Sequence, residues 1–330
     1  MRPHVRLGTG AMSRFVLPLL AAAAFVAPLN GPSLVTAGSQ TAARPTARIK
    51  AARLLADVRA LTAPEMEGRL TGTPGSGRAQ RFIADRFRAC RLDPIQGRYL
   101  QSFDVQRRGD ASERLPAANV WGMIPGRTEP DRFVLITAHY DHLGTRNGTM
   151  YPGADDNASG VAAMLALAEW FSAHPPGRSL LFVAFDAEEQ GLRGSRHFVA
   201  NPPVDLRAVV ALVNLDMVAR GDRNELVVAG THHYPQLRPA VAAAAAGRRI
   251  TVTFGHDRPA AEARRGEDDW THLSDHAPFH LAGVPFLYFG VQNHADYHKP
   301  TDTAERIPAE FYGEAVEVVL GTVERLAGGG

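Results

Sequence analysis

Several apolar runs in this chain end in ionisable residues instead of the neutral turns that usually close a buried strand. "FVLITA" is followed by His139 and Asp141, "LLFVAF" by Asp186, Glu188 and Glu189, and "VVALVN" by Asp216. "GADDNASG" adds Asp155 and Asp156 ahead of a helical pattern, and "PFLYFG" is followed by "ADYHKPTDT" with His298. Each has an ordinary reading when taken alone. Asp155 or Asp156 can cap a helix at "NASG", His139 can be a satisfied core histidine, and Asp216 can simply end a strand. Taken together, they bring several carboxylates and two imidazoles toward one place with Lys299 as the single cation inside these motifs, so most of the compensating charge must come from outside. A pair of divalent ions meets that need, because carboxylate and neutral imidazole suit zinc and two ions ~3.5–4 Å apart can share a bridging carboxylate. A mixture of His with Asp and Glu, without cysteine, points to hydrolytic chemistry. Asp141, two residues after His139, is placed to accept the other imidazole N–H and fix its tautomer.

The elements that must position these groups read as α/β. From Asn119 onward, short runs rich in Val, Ile, Leu and Phe alternate with helical segments. Continuous rather than alternating apolar runs mean strands covered on both faces, and alternation with helices means a mostly parallel or mixed central sheet flanked by helices, a three-layer sandwich. In such sheets the ligand crevice lies outside the carboxyl ends of the strands, which is where the ionisable residues fall. Upstream, "IKAARLLADVRALTA" has helical spacing ended by Pro64, and "EGRLTGTPGSG" reads as a loop. "SGRAQRFIADRFRACRL" gives a second amphipathic helix with Ala79, Phe82, Ile83, Phe87 and Cys90 on one face.

With Lys plus Arg at 36 and Asp plus Glu at 34, the chain carries no electrostatic footprint for nucleic acid, and 45% hydrophobic residues over 330 positions are enough for one core. Cys90 is the one cysteine, which rules out an intramolecular disulfide and fits a small hydrophobe on a helix face. Arg2, His4, Arg6 and Arg14 precede the apolar segment Phe15 to Leu29, and small residues follow. This order predicts a secretory signal over residues 1–37, with a cleavage point at Ala37 and Val35, a linker over 38–50, and a single domain over 51–330. The mature chain is then exported to the periplasm or the extracellular space without stable membrane association. A retained anchor is the competing reading, weakened by Pro18 and Pro28, which shorten the helix below the ~20 residues a span requires.

The motifs "AHYDHLG", "GADDNASG", "FDAEEQGLRGS", "NLDM", "SDHAPF" and "YHKPTDT", in this order, resemble the M28 family of zinc metallopeptidases, and the resemblance runs from about Leu61 to the last helix. It implies a zinc ion held by His139, Asp155 and Asp216, and a second held by Glu189 and His298 with Asp155 bridging. Cobalt or manganese are alternatives as the native metal. The resemblance makes Glu188 the catalytic base toward a metal-bridged hydroxide, makes Asp141 the partner of His139, and suggests a cis peptide between Asp155 and Asp156. An aminopeptidase acting on peptides or small aminoacyl substrates follows, with no inserted domain in the short interval from Asn119 to His139. A glutaminyl cyclase, which uses one zinc, a carboxypeptidase, and a binding protein that has kept the fold are the alternatives.

Where some members of the family place a tyrosine, this chain has Thr271, which leaves Tyr297 and His272 as candidates for steadying an oxyanion. Asp275 and Asp302 match recurrent family positions, either supporting the ligands or capping helices. His142, His232, His233, His276 and His294 are read as structural or surface residues. The charged stretch from Gly255 to Trp270 is either a wall of the substrate pocket or a solvated loop.

Overall fold

The ladder that organises the protein is an eight-stranded sheet whose strands lie side by side in the order Leu100–Arg107, Asp110–Ile124, Arg178–Phe185, Glu129–His139, Val209–Leu215, Phe286–Gly290, Glu225–Ala229 and Thr251–Phe254. The computed structural model describes residues 47–107, 110–258 and 268–328, which lie in one unit, Arg44–Gly330, of the two into which the chain divides. The expected signal segment, its cleavage point and the linker as far as residue 46 lie outside the described residues, as do residues 259–267 of the charged stretch. No helix among the described residues is long and apolar enough to cross a membrane.

In chain order the strands are β1 (Leu100–Arg107), β2 (Asp110–Ile124), β3 (Glu129–His139), a small hairpin of β4 (Thr145–Arg146) and β5 (Thr149–Met150), β6 (Arg178–Phe185), β7 (Val209–Leu215), β8 (Glu225–Ala229), β9 (Thr251–Phe254) and β10 (Phe286–Gly290). The helices are α1 (Ala51–Leu61), α2 (Pro74–Ala89), α3 (Gly160–Ala173), α4 (Arg193–Ala200), α5 (Arg238–Ala245), α6 (His276–Leu281) and α7 (Ala309–Leu326). The centre of the sheet, β6-β3-β7-β10, is parallel, β8 and β9 pair parallel, and antiparallel pairing occurs at β1/β2, β2/β6 and β10/β8. This is the mixed, mostly parallel sheet expected from the alternation of runs and helices.

Alternation along each strand divides the core into two layers. Val134, Ile136 and Ala138 of β3 pack with α1, α2, α3, α5 and α7 on one face, while Leu135 joins the other face with Phe198 of α4 and Phe279 of α6. Phe185, Phe198 and Phe279 meet at centroid distances of 5.4–6.0 Å, so two short helices are held by aromatic contacts worth about 0.5–1.5 kcal/mol per pair beyond area burial. Helix α3 is buried on every side through Ala168, as expected of a helix apolar all round. Thr73 caps α2, accepting from Ser76 N at 3.3 Å, and Ala79, Ile83 and Phe87 lie in the core while Phe82 and Cys90 pack partly buried against it.

Strand β1 is the element that the search for apolar runs misses. It is an edge strand in which buried Gln101 and Val105 alternate with exposed Ser102 and Asp104, a two-residue period with too few apolar positions to register as a run. A 3-10 turn at Pro64–Arg69 runs into the first three residues of the segment expected as a loop from Glu67.

Candidate active site

The parallel centre of the sheet delivers its carboxyl ends side by side: His139 closes β3 opposite Phe185 of β6, and Asp216 directly follows β7. Around His139 Nε2 stand Asp216 Oδ1 at 3.3 Å and Asp156 Oδ1 at 3.5 Å. The other oxygen of Asp156 lies 3.0 Å from His298 Nε2, which is itself 3.5 Å from Glu189 Oε2. His142 Nδ1 is 2.8 Å from Glu189 Oε1. Two groups of three donors, His139-Asp156-Asp216 and His142-Asp156-Glu189, have ligand atoms within 4.8 Å of one another and share Asp156.

The structure thus brings together His139, Asp216, Glu189 and His298 as expected, and corrects the fifth. Asp155, read as the shared ligand, points elsewhere: its Oδ1 accepts from Ala219 N at 2.8 Å and its Oδ2 lies 3.1 Å from His294 Nε2. The physical reason is the path of the loop. Gly153 adopts a left-handed φ of 57° (a Cβ there would meet Asp156 O at 2.1 Å and the His142 ring at 2.5 Å), and the turn it makes aims the next carboxylate but one into the cluster. Asp302 accepts from both Asp155 N and Asp156 N at 3.0–3.1 Å, which fixes the loop from behind. The cis peptide lies between Asp156 and Asn157, one residue later than expected.

Supporting groups come from far along the chain. Arg69, with no exposed surface, donates to the carbonyls of Leu61, Tyr140, Pro152 and Gly153 at 2.7–2.9 Å, tying the residue after His139 to the loop that carries Asp156. Burial lowers its guanidinium to about 10 despite Asp156, Asp141 and Asp302 nearby. Asn157 Oδ1 accepts from Gly160 N and Met217 N, and its amide donates to Leu215 O, which locks the same loop onto the end of β7. Asp141 lies against both the histidine and the glutamates. His139 Nδ1 sits 3.2 Å from its backbone oxygen and 3.7 Å from Oδ1, while its carboxylate accepts from Glu188 N and Glu189 N at 3.0 and 3.3 Å. It therefore orients the histidine and both glutamates.

Asp302 is a loop brace and not the cap of a following helix. Asp275 precedes α6 without making a cap hydrogen bond, and burial, with Asp141 and Asp216 adding to it, pushes its carboxyl up to about 7. Tyr297 stacks on His298 at 3.9 Å and lines the site, whereas His272 lies on the outside of the wall. His142 and His294, read as structural, belong to the site and its support. Nothing in their local sequence marks them, since their partners, Glu189 and Asp155, are distant in the chain.

The electrostatics separate the paired glutamates. Burial raises Glu188 well above the usual carboxylate range against the pull of His139, with Asp275 and Asp216 raising it further. Burial acts in the same direction on Glu189, but hydrogen bonds from His142 and His298 outweigh it and hold that carboxyl below the usual range. Burial works to lower the His139 imidazole, yet Asp216 and Glu188 lift it well above its ordinary value. His298 rises to about 10 through its hydrogen bonds to Asp156 and Glu189. Among the described residues no Lys or Arg pairs with Asp156, Glu188, Glu189 or Asp216, so the donor set has the charge and ligand types of a divalent metal site.

Glu188, Trp270, Leu273, Tyr288 and Gln292 help line a cavity of about 180 Å³ over these groups. A second cavity of about 760 Å³, walled by Leu70, Thr73, Arg146 and Tyr151 among others, opens on the other side of Glu189 and His298.

A model of peptidase family M28 matches residues 119–323, the span that carries every donor described above. The chain belongs to peptidase family M28. Among M28-like relatives, a probable zinc metalloprotease of Leptosphaeria maculans is 28% identical over 281 residues, covering 76% of this chain and 64% of the relative. Aminopeptidase YwaD of Bacillus subtilis is 32% identical over 207 residues, 59% of this chain and 41% of the relative. The chain thus spans 41% to 64% of the length of these two relatives. Among solved structures, BSAP, a zinc aminopeptidase from Bacillus subtilis, aligns with a TM-score of 0.67 at 19% identity over 86% of this chain and 96% of its own. A glutaminyl cyclase of Porphyromonas gingivalis aligns with a TM-score of 0.66 at 20% identity over 84% and 99%. At such identities the likeness establishes the M28 fold, and the chemistry is argued from the site.

Proposed function

We propose that this chain is an exported zinc-dependent aminopeptidase. The observation that carries the reading is the pair of donor groups sharing Asp156, with the unpaired carboxyl of Glu188 beside them. His139, Asp156 and Asp216 would hold one ion, and Asp156, Glu189 and His298 would hold the other, with His142 bonded to Glu189 from behind. Bound zinc supplies polarisation of the scissile carbonyl and a lowered pKa for the attacking water. Glu188, raised by burial, takes a proton from that water and returns it to the departing amine, a task that calls for a carboxyl titrating nearer to neutrality than usual. Asp141 holds the two glutamates apart in role by fixing both backbone amides.

The small cavity supports an exopeptidase. Its volume of about 180 Å³ falls below the ~300–1,000 Å³ of a drug-sized ligand site, so it receives a terminal residue, while the larger neighbouring cavity takes the rest of the peptide. Hydrolysis of aminoacyl amides with free N-termini, and at least a hundredfold loss when the amine is acetylated, is the expected result. Equal rates on free and blocked substrates would overturn the aminopeptidase reading. The backbone likeness to glutaminyl cyclases supports one alternative, which cyclisation of an N-terminal glutaminyl peptide without aminoacyl hydrolysis would favour. Export is supported by the basic-then-apolar N-terminal order and is tested by fractionating cells that express the full chain.

A further inference from the structure

Outside the catalytic cluster the fold assembles a second group of histidines. His232 and His233 occupy the turn after β8, His272 lies on the segment leading to α6, and His280 is in the last turn of α6. Ring centroids are 4.8 Å apart for His233 and His280, 5.8 Å for His272 and His280, and 5.5 Å for His232 and His233. Nothing in local sequence demands this meeting; three separate segments bring it about.

Two of these rings are held by neighbouring hydroxyls. His233 Nε2 bonds Thr271 Oγ1 at 3.0 Å, and His280 Nδ1 bonds Tyr234 Oη at 2.8 Å. Each ring is thereby oriented through one nitrogen, and among the described residues the opposite nitrogen has no hydrogen-bond partner, an arrangement that second-sphere partners commonly give a metal-ligating histidine. Partial burial lowers both imidazoles below their ordinary value, and this favours the neutral form that a metal requires. His272 is exposed, and Asp269, whose Oδ1 accepts from Thr271 N at 2.9 Å, adds a carboxylate at the rim.

We propose that His233, His272 and His280 form a peripheral binding site for a divalent transition-metal ion of the zinc, nickel or copper type, separate from the catalytic cluster. Imidazole ligands suit these ions. Among the described residues only the catalytic groups have three donors within 4.8 Å of one another as they stand, so completing this site requires exposed His272 to turn inward. The place has a consequence for the active site. Asp268, Trp270 and Leu273 line the small catalytic cavity and alternate with the residues of this cluster, so an ion here fastens that wall to α6 and to the turn after β8.

The test is equilibrium dialysis of the full chain against Zn2+, comparing wild type with His272→Ala, with the packing-conservative pair His233→Asn and His280→Gln, and with the remote control His174→Ala. Wild type and the control are expected to take up one more equivalent than the paired variant, and His272→Ala to bind that equivalent at least tenfold more weakly. Because the readout is a difference between chains, it does not depend on how many ions the Asp156 cluster holds. Exposed His272 can be replaced without disturbing the core, so its result stands even where the paired variant folds poorly. Equal uptake and affinity across wild type, His272→Ala and the paired variant would overturn the proposal, as would the same loss in His174→Ala.

Discussion

Glu188 and Glu189 are neighbours in sequence with opposite electrostatic fates. One is raised by burial and, among the described residues, makes no side-chain hydrogen bond; the other is depressed by two histidines. Glu188→Gln should therefore keep its zinc content and lose kcat by about 10²–10⁴-fold, the range of a lost general base, whereas Glu189→Gln should lose metal. Metal analysis beside initial rates separates the two, and equal zinc loss in both variants would sink the division. The same comparison settles the loop. Asp156→Asn should strip both ions because its two oxygens face both donor groups, while Asp155→Asn, whose carboxylate faces Ala219 N and His294, should lower affinity only about 10–100-fold, as loss of an outer partner does. Zinc retention by Asp156→Asn would remove Asp156 from its proposed role.

At the scale of elements, the site depends on keeping the end of β3 and the loop before α3 in register. Arg69 does this with a planar fork that reaches four carbonyls, which a lysine ammonium cannot match. Arg69→Lys leaves buried carbonyls unsatisfied at a cost of ~3 kcal/mol or more. The thermal midpoint should fall by roughly 6–12 °C at ~2–4 °C per kcal/mol, with zinc affinity falling alongside; an unchanged midpoint would show the brace to be dispensable.

For the molecule as a whole, stability carries a pH signature from a group remote from the metal cluster. Asp57 on α1 is raised by burial to about 6 from 3.8, against the attraction of Arg53. The folded chain thus holds this proton more tightly than the unfolded chain, so the contribution is present below pH ~4 and is lost as pH rises through about 6. Chemical denaturation at pH 4 and 7 should show that Asp57→Asn removes a fall on the order of 1–2 kcal/mol, discounted for partial solvent screening. A second global test is zinc removal. An ion present at ~1,000 times its Kd stabilises by about 4 kcal/mol, so chelation should lower the thermal midpoint by roughly 8–16 °C, and no change would argue against a tightly held ion.

By itself the sequence determined the layer architecture and the place of the chemistry. Short continuous runs rich in Val, Ile, Leu and Phe read as strands covered on both sides, and ionised groups at their ends cannot be left there without a cation. His139, Glu189, Asp216 and His298 are legible for that reason, because each lies at or beyond the carboxyl end of its own strand. Tertiary structure alone decided between Asp155 and Asp156. Both satisfy the local pattern, and the choice is made by Asp302, 147 and 146 residues away, and by the turn at Gly153. It also decided the parts played by His142, His294 and Arg69, and the meeting of His233, His272 and His280. Local sequence encodes which face an element buries, but a side chain's partner across the fold depends on where distant backbone groups come to rest.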